Sequence, residues 1–240
     1  MIFKNSELER FFCSIKKLNE TKLFREWKGE KCFLIRHDID FDLQLAHDMA
    51  TLQNKLGIKA TYFILTSCEY YNILSKNSRS ILKSITKMGH EVALHFDPTL
   101  YKKNMKEGFL KEIEILSTAI ESNVKSVSLH NPTSHGQYPL FDGFVNAYDP
   151  NLFSDSNYIS DSCFSFRGKN PFEFIKGIDK NMIQILLHPL HYTTSGAGYD
   201  KIMVNSFERR MMEADQEFSP VNKVFKKQVG NSLVDLFRRS

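Results

Sequence analysis

Two aspartates and a histidine directly follow an apolar run near the start of the chain. The run Cys32-Phe33-Leu34-Ile35 predicts a buried strand, and the stretch Arg36-His37-Asp38-Ile39-Asp40 comes next. Carboxylates rarely lie against an apolar core unless a metal ion, a cation or a reaction requires them there. Asp38 and Asp40 are two residues apart, so in an extended chain their side chains point to the same side. Such a pair can divide the work, one acid binding a cation and the other accepting a proton. The competing interpretation is a solvated turn in which an aspartate caps the next helix.

Histidines and further polar residues recur where the other predicted strands end. In parallel α/β folds, ligands bind beyond the carboxyl ends of the strands. Of the eight histidines, all except His47 lie at such an end or within a few residues of a strand. We therefore expect these side chains to converge on one site. The strand ends concerned are Arg36–Asp40, Thr66–Cys68, His95–Pro98, His130–Pro132, Ser160–Ser162 and His188–His191.

The individual histidines favour different roles. His95 ends a strand and is predicted to be a metal ligand, whereas His188 emerges from an apolar run and is predicted to act as an acid or base. His130 is left open between a contact to metal or substrate and a structural hydrogen bond. His90 begins a strand, which favours a structural role. Imidazoles with carboxylates suit Zn²⁺ and other first-row divalent ions, and such a site supports hydrolysis. The histidines expected simply to line the pocket are His37, His135 and His191.

The elements that must position these residues alternate between strands and helices, which predicts βαβ units and a parallel sheet. Strands are predicted at 32–36, 60–65, 91–95, 124–130, 157–162 and 182–188. Helices are predicted after a capping box at Ser6–Glu9, at 42–56 with Gly57 closing it, at 78–88, at 106–121, and at 205–237 with a break near Pro220. A Pro/Gly/Asn-rich loop spans 131–151, and a helical turn lies near 171–176. One α/β domain, open or barrel-like, accounts for the whole chain from 1 to 240.

Composition agrees with a single large core. The 240 residues are 42% hydrophobic and include 20 Phe. The net charge is +4, and the basic residues of 223–239 alternate with apolar ones, which is typical of an amphipathic helix rather than of a nucleic-acid-binding arm. The four cysteines form no C-x-x-C pair, which argues against a zinc knuckle or a disulfide scaffold. The sequence shows neither a signal peptide nor a membrane span, so we expect a cytoplasmic protein of undetermined oligomeric state.

The order of these motifs resembles the polysaccharide deacetylase superfamily, also called NodB-homology or carbohydrate esterase family 4. The resemblance covers roughly residues 32–192 and is closest to the branch whose first motif reads His-Asp-(Val/Ile)-Asp, often met in surface-polysaccharide biosynthesis. It implies a distorted (β/α) barrel with about seven parallel strands, a NodB-like fold with flanking N- and C-terminal helices. The motifs that carry it are His37-Asp38-Ile39-Asp40, Gly89-His90-Glu91-Val92-Ala93-Leu94-His95 and Leu186-Leu187-His188.

The same resemblance implies a metal-dependent hydrolase that removes an acetyl group from an N-acetylated sugar. Asp38 would be the general base and His188 the general acid. Asp40, His95 and His130 would hold a divalent metal, with Zn first among the candidates. The substrate would be a carbohydrate, for example a nucleotide- or lipid-linked sugar. The candidate substrate-binding residues are Arg36, Asn131 and Asp161.

This sequence departs from the family pattern in its first two motifs. Ile39 separates acids that are usually adjacent, so the roles of Asp38 and Asp40 could be exchanged. Thr99 stands where the second motif usually has another histidine, so either His130 or Asp97 completes the metal ligands, or the metal is weakly held. Two alternatives therefore remain, a non-catalytic carbohydrate-binding relative and a hydrolase of another C–N bond.

Overall fold

A computed structural model describes residues 3–101, 103–230 and 232–239 and has a parallel sheet at its centre. The strands are β1 Thr21–Lys22, β2 Phe33–Ile39, β3 Thr61–Leu65, β4 Glu91–Phe96, β5 Ser126–Leu129, β6 Val145–Asn146, β7 Tyr158–Ser160 and β8 Ile183–Leu187. Their order is β6-β5-β4-β3-β2-β8-β7, with β1 also paired to β2, and every pairing between them is parallel. The expected α/β fold with about seven parallel strands in a distorted barrel is therefore confirmed.

Helices connect and flank these strands, as the alternating pattern predicts. They are α1 Asn5–Leu18, α2 Leu43–Leu56, α3 Lys76–Lys87, α4 Met105–Ile120, α5 Pro132–His135, α6 Pro171–Phe174, α7 Tyr199–Phe218, α8 Lys223–Gln228 and α9 Leu233–Arg239. The long C-terminal helix begins earlier than predicted, and the break near Pro220 is confirmed. Within the described part of the chain, no helix combines the length and the apolar character that crossing a membrane requires.

The central strand β2 continues three residues beyond its predicted end at residue 36. All seven of its residues are buried, including Arg36, His37 and Asp38. These polar side chains stay inside because the fold supplies partners for them: Arg36 pairs with Asp38, and His37 bonds the Leu187 carbonyl. Buried polar groups are tolerated where such partners exist. The polar end of the strand is thus part of the sheet rather than a solvated turn.

Capping of α2 falls to Asp42. Its Oδ1 accepts hydrogen bonds from the backbone N–H groups of Gln44 and Leu45, at 2.8 and 3.1 Å. Gly57 closes the helix in a left-handed conformation at φ +69°, as predicted. Because Asp42 satisfies the helix start, Asp38 and Asp40 are available for another role.

The first helix is confirmed, but the predicted capping box is wrong. Helix α1 begins at Asn5, so Ser6 lies inside its first turn rather than before it. The start is fixed instead by pairing with the distant Thr193, whose carbonyl accepts a hydrogen bond from the Asn5 N–H at 2.9 Å. The sequence around residue 6 carries no signal of that long-range contact.

Two short strands and one short helix were also missed. β1 and β6 have two residues each, which is too short for an alternating pattern to show. β6 and α5 both lie in the stretch 131–151 that was predicted as loop.

Glu91, at the start of β4, is a buried carboxyl that should make stability depend on pH. Its oxygens accept hydrogen bonds from Thr61 Oγ1, the Arg25 N–H and Ser126 Oγ, at 2.9, 3.2 and 2.7 Å. Burial raises its pKa more than these donors lower it, so the pKa of Glu91 stays above its usual range. A raised pKa in the folded state means that the stabilisation is complete below the ordinary glutamate pKa and is lost as pH rises through the folded-state pKa.

We therefore expect Glu91→Gln to become more stable relative to the wild type as pH rises from 5 to 8. Glutamine retains an acceptor oxygen, can donate to the Ser126 hydroxyl and carries no charge to desolvate. The gain at pH 8 should be about 1 kcal/mol, measured by urea unfolding at both pH values. Glu114→Gln, at an exposed position, is the matched control and should show no such trend. A Glu91→Gln variant that loses stability relative to the wild type on going from pH 5 to pH 8 would contradict this assignment.

Candidate active site

Asp40 lies just beyond β2 and meets two imidazoles from other strand ends. Its Oδ1 is 3.2 Å from Nε2 of His95, the fifth residue of β4, and 3.5 Å from Nδ1 of His130, which follows β5. The two ring nitrogens are 3.4 Å apart. In a flat sheet, strands three places apart would be about 14 Å apart, so the curl of the barrel brings these ends together. We call Asp40, His95 and His130 the Asp-His-His triad.

The triad fits a divalent metal ion. Its three ligand atoms lie within 4.8 Å of one another. Oδ1 of Asp40 is buried and accepts no hydrogen bond of good geometry from the residues that the structure describes. Burial raises the pKa of Asp40, but the imidazoles of His130 and His95 outweigh it and hold that pKa well below the usual range. A carboxylate and two imidazoles, with room for a further ligand, match the donors of catalytic zinc sites.

Neighbouring side chains orient both imidazoles of the triad. Nδ1 of His95 lies 2.7 Å from the Ser128 hydroxyl, which leaves Nε2 facing Asp40. The ring of His130 contacts the Asn131 amide through Nε2, at 2.9 Å, and its Nδ1 faces the triad. His130 can bind a cation through Nδ1 when Nε2 carries the proton. A 180° flip of the Asn131 side-chain amide brings its oxygen to Nε2, where it accepts a hydrogen bond from that N–H. Each ring thus presents one nitrogen to the triad and has a partner for the other.

Asp38 lies beside the triad and is tied to Arg36. Its side chain is 5% exposed, and Oδ2 accepts a hydrogen bond from Arg36 Nη2 at 2.8 Å. The same oxygen is 3.8 Å from Nε2 of His95. Burial raises the pKa of Asp38, but the Arg36 charge and the nearby imidazoles lower it by more than burial raises it. The carboxyl is therefore ionised at neutral pH.

Arg36 itself is fully buried, which bears on the expectation that it contacts substrate. Its guanidinium also donates to Gln184 Oε1 and to the Tyr148 hydroxyl, both at 3.0 Å. Its side chain is 0% exposed. The structure therefore places Arg36 behind Asp38, where it holds the carboxylate in position and in its charged form.

His188 and Asp161 form a second arrangement, next to Oδ2 of Asp40. Nδ1 of His188 is 2.6 Å from Asp161 Oδ1, and its backbone N–H also donates to that carboxylate. Nε2 points towards Asp40, whose Oδ2 is 3.8 Å away. Burial lowers the pKa of His188, but the Asp161 charge and hydrogen bond outweigh it and raise the pKa to about 9.

Asp161 was expected to contact substrate, but it is fully buried and contacts His188 instead. Its Oδ2 is 3.2 Å from Nδ1 of His191. Asp161, His188 and His191 also lie close enough to reach one ion. However, the Asp161 oxygens already receive hydrogen bonds from His188, so this group is better described as an oriented imidazole pair around one carboxylate.

Some histidines lie away from this site. His37 was expected to line the pocket, which is wrong, because it faces the other side of β2 from Asp38. It is fully buried, contacts the Leu187 carbonyl and Gln53, and has its pKa lowered to about 4, chiefly by burial. His135 bonds the His130 carbonyl, whereas His191 does line the cleft. His90 has the predicted structural role, with Nε2 3.0 Å from the Ala50 carbonyl.

The contacts of Thr99 and Asp97 bear on which residue lies beside Asp40 and His95. Thr99 is exposed, and both its N–H and its hydroxyl bond Asp97 Oδ1, at 2.9 and 2.6 Å. Asp97 therefore uses its carboxylate to cap the turn that follows β4. The structure groups His130, rather than Asp97, with Asp40 and His95.

The site opens into a cleft with two branches that share Asp38, Asp40 and His188. The polar branch has aromatic and hydrogen-bonding walls, and the apolar branch has mainly hydrophobic ones. Asn131 and Ser160 lie at predicted strand ends, whereas most of the other wall residues lie in loops or on α7, where no motif assigns them an individual role. The walls of the polar branch include Asn131, Tyr148, Phe153, Tyr158, Ser160 and Lys169. The walls of the apolar branch include Phe41, Leu65, Tyr70, Leu100, Leu190 and Met203, and polar side chains of the same branch are Ser67, Glu69, Asp97, His130 and His191.

Comparisons with known proteins find similarity among solved structures, whereas no family model and no curated protein sequence matches the chain. One neighbour is the Xyl-CE4 domain of a multidomain xylanase from the hindgut metagenome of Trinervitermes trinervoides. It is 19% identical over 88% of this chain and 91% of that chain, with a TM-score of 0.45. Another is the peptidoglycan deacetylase PdaC from Bacillus subtilis, 15% identical over 83% of this chain and 98% of that one, with a TM-score of 0.46.

A third neighbour is a mutant, with restored enzymatic activity, of a CE4 family pseudoenzyme from Bacillus anthracis. It is 13% identical over 75% of this chain, with a TM-score of 0.45, and the present chain spans 64% of its length, which is less than two thirds. The family in these names is the one that the sequence motifs resemble. The roles of individual residues rest on the geometry described above.

Proposed function

We propose that this protein is a metal-dependent hydrolase that removes the acetyl group from an N-acetylated sugar. The observation that carries the proposal is the buried, ionised Oδ1 of Asp40. It lies within 3.5 Å of two imidazole nitrogens and accepts no well-formed hydrogen bond from the described residues. A buried, negatively charged oxygen without a hydrogen-bond donor is suited to binding a cation. The motifs that resemble the polysaccharide deacetylases support the same reaction.

In this proposal Asp40, His95 and His130 hold the metal ion. A bound divalent cation supplies Lewis acidity, acidifying a water molecule and polarising the substrate carbonyl. Zinc is the first candidate because imidazole nitrogen and carboxylate oxygen are among its preferred ligands. Ser128 and Asn131 keep the two rings oriented towards the ion.

Asp38 is the proposed general base. It is ionised, lies beside the triad and can accept a proton from the attacking water. The hydrogen bonds favour Asp38 as the base and Asp40 as the metal ligand. Oδ2 of Asp38 already accepts a hydrogen bond from Arg36, whereas Oδ1 of Asp40 accepts none from the described residues. Arg36 is therefore proposed to position Asp38 rather than to contact substrate.

His188 is the proposed general acid. Asp161 holds the ring through Nδ1, so Nε2 faces the cleft and can donate its proton to the departing nitrogen. In order, water would add to the carbonyl carbon as Asp38 accepts its proton, and His188 would then protonate the nitrogen as the C–N bond breaks, which gives acetate and the free amine of the sugar. Asp161 is proposed as a positioning residue, while Asn131, exposed in the polar branch, remains a candidate for substrate contact.

The substrate is proposed to be a sugar precursor, nucleotide- or lipid-linked, of a surface polysaccharide, acted on in the cytoplasm. A second candidate function is non-catalytic carbohydrate binding. Thr99 favours it, since the family pattern has a histidine at that position. The two candidates differ in whether acetate is released.

Metal removal tests the proposal directly. We expect the purified protein to carry about one divalent ion per chain, measured by elemental analysis, and to release acetate from an N-acetylhexosamine. Dialysis against a chelator should abolish release, and added Zn²⁺ or Co²⁺ should restore it. Acetate release that persists in the metal-free protein would refute metal dependence. Sugar binding that survives chelation without any acetate release would favour the non-catalytic alternative.

A further inference from the structure

We infer that the apolar branch of the cleft takes the acyl group of the substrate and accepts acyl chains longer than acetyl. This inference rests on the proposed function and specifies its substrate class as N-acyl amino sugars with medium-length acyl groups. It depends on the way in which the two branches meet and on the chemistry of their walls.

The branches diverge from the point where the reaction would occur. They share Asp38, Asp40 and His188, the proposed base, one metal ligand and the proposed acid. An amide carbon has two substituents besides its oxygen, the nitrogen that carries the sugar and the acyl chain, and these point away from each other. A carbonyl placed over the shared residues therefore directs one substituent into each branch.

The polar branch suits the sugar. Asn131, Ser160 and Lys169 offer hydrogen-bonding groups, and the rings of Tyr148 and Tyr158 form its aromatic wall. A few polar groups among aromatic walls are typical of sites that fix the orientation of a polar ligand. The sugar hydroxyls find partners here.

The apolar branch suits a hydrocarbon chain. Phe41 and Leu65, 6% and 7% exposed, line it together with Leu100 and Met203. An acetyl group contributes a single methyl and would leave most of those apolar side chains uncovered. Each further methylene that becomes fully buried adds about a fourfold gain in affinity. A longer acyl chain should therefore bind this branch more tightly.

The walls of this branch are held in place by contacts of their own. Phe207 packs edge-on against Phe41, with ring centroids 5.7 Å apart, and the Tyr70 ring lies 4.3 Å from Phe41 and 6.5 Å from Phe207. Arg209, on the same helix as Phe207, pairs with Asp42 at the start of α2. The α7 wall is therefore fixed relative to the Asp-His-His triad, and the branch is a formed surface of the site.

A lipid carrier is the other source of an apolar chain. It would be attached to the sugar, and would therefore extend from the polar branch rather than from the acyl side of the amide. The acyl chain is the occupant that the position of the branch favours.

The test is a series of N-acyl glucosamines with acetyl, butyryl and hexanoyl groups, in which release of the free amine gives kcat/KM for each. We expect butyryl and hexanoyl substrates to be cleaved at least as efficiently as acetyl. Met203→Trp, which fills the branch, should lower the hexanoyl-to-acetyl ratio at least tenfold. Val204→Trp, the next residue on α7 and 58% exposed, is the matched control and should leave the ratio unchanged.

The outcomes separate this inference from the proposed function. Cleavage of the acetyl compound with no detectable cleavage of the longer ones would overturn the inference and leave the deacetylase standing. A Met203→Trp variant that slows all three substrates equally would also overturn it. Failure to release amine from any member of the series, by metal-loaded protein, would refute the proposed function and the inference with it. A large preference for an N-acetyl sugar on a prenyl phosphate, without tolerance of hexanoyl, would assign the branch to a lipid carrier instead.

Discussion

Replacing Asp40 with asparagine is expected to remove the bound metal and nearly all activity while leaving the fold intact. The amide keeps the shape of the side chain but not its charge, so the triad loses its one anionic ligand. We expect metal affinity to fall by more than about 100-fold, because changes merely to the partners of ligands already cost 10–100-fold. Turnover should fall by about 10³-fold, which corresponds to the several kcal/mol that a catalytic ion supplies. Elemental analysis and acetate release measure the two effects.

Asp97→Asn is the matched control for this experiment. Asp97 lies close to the same cleft, but its Oδ1 caps the turn at Thr99, a contact that asparagine can also make. The control should keep its metal and most of its activity. If Asp97→Asn lost metal and Asp40→Asn did not, the ligand set would have to include Asp97 instead. If both variants kept metal and full activity, the metal centre proposed here would be refuted.

The positions of the site residues could be predicted from the sequence because parallel strands end at a common edge. The apolar runs before Asp38, His95 and His188 mark three of those strands, and the periodicity of the intervening helices fixes their direction. The strands end at this edge whichever of them are neighbours. The location of the site residues therefore follows from the sequence, whereas their contacts do not.

The pairings within the site could not be predicted, since they depend on residues far apart in the chain. Arg36 is buried because Gln184 and Tyr148, more than 100 positions away, accept its hydrogen bonds. The register of β7 on β8, with Ser160 opposite Leu186, is what sets Asp161 against His188. From the sequence both Arg36 and Asp161 were expected to contact substrate, and burial is the property that a local pattern does not reveal.

The Asp161→Asn variant should keep its metal but lose most of its acid catalysis. Asp161 contacts His188 but lies outside the Asp-His-His triad, so the variant should keep its metal. His188 would lose the charge that stabilises its protonated form, and the expected loss of kcat is about 10²-fold, at the low end of what general acids contribute. Asp142→Asn, at an exposed position, is the control and should change neither quantity.

The pH profile of kcat gives a second readout of the same variant. A general acid must be protonated, so the rate falls as pH rises through the pKa of His188. In the wild type, without a bound metal, Asp161 raises that pKa to about 9 against the opposing effect of burial. Removing the Asp161 charge lowers the pKa, so the basic limb of the profile should move to lower pH. A bound cation would lower the pKa in both proteins and leave the direction of the difference unchanged. A basic limb that stays in place, or a loss of activity that follows a loss of metal, would show that Asp161 does not act through His188.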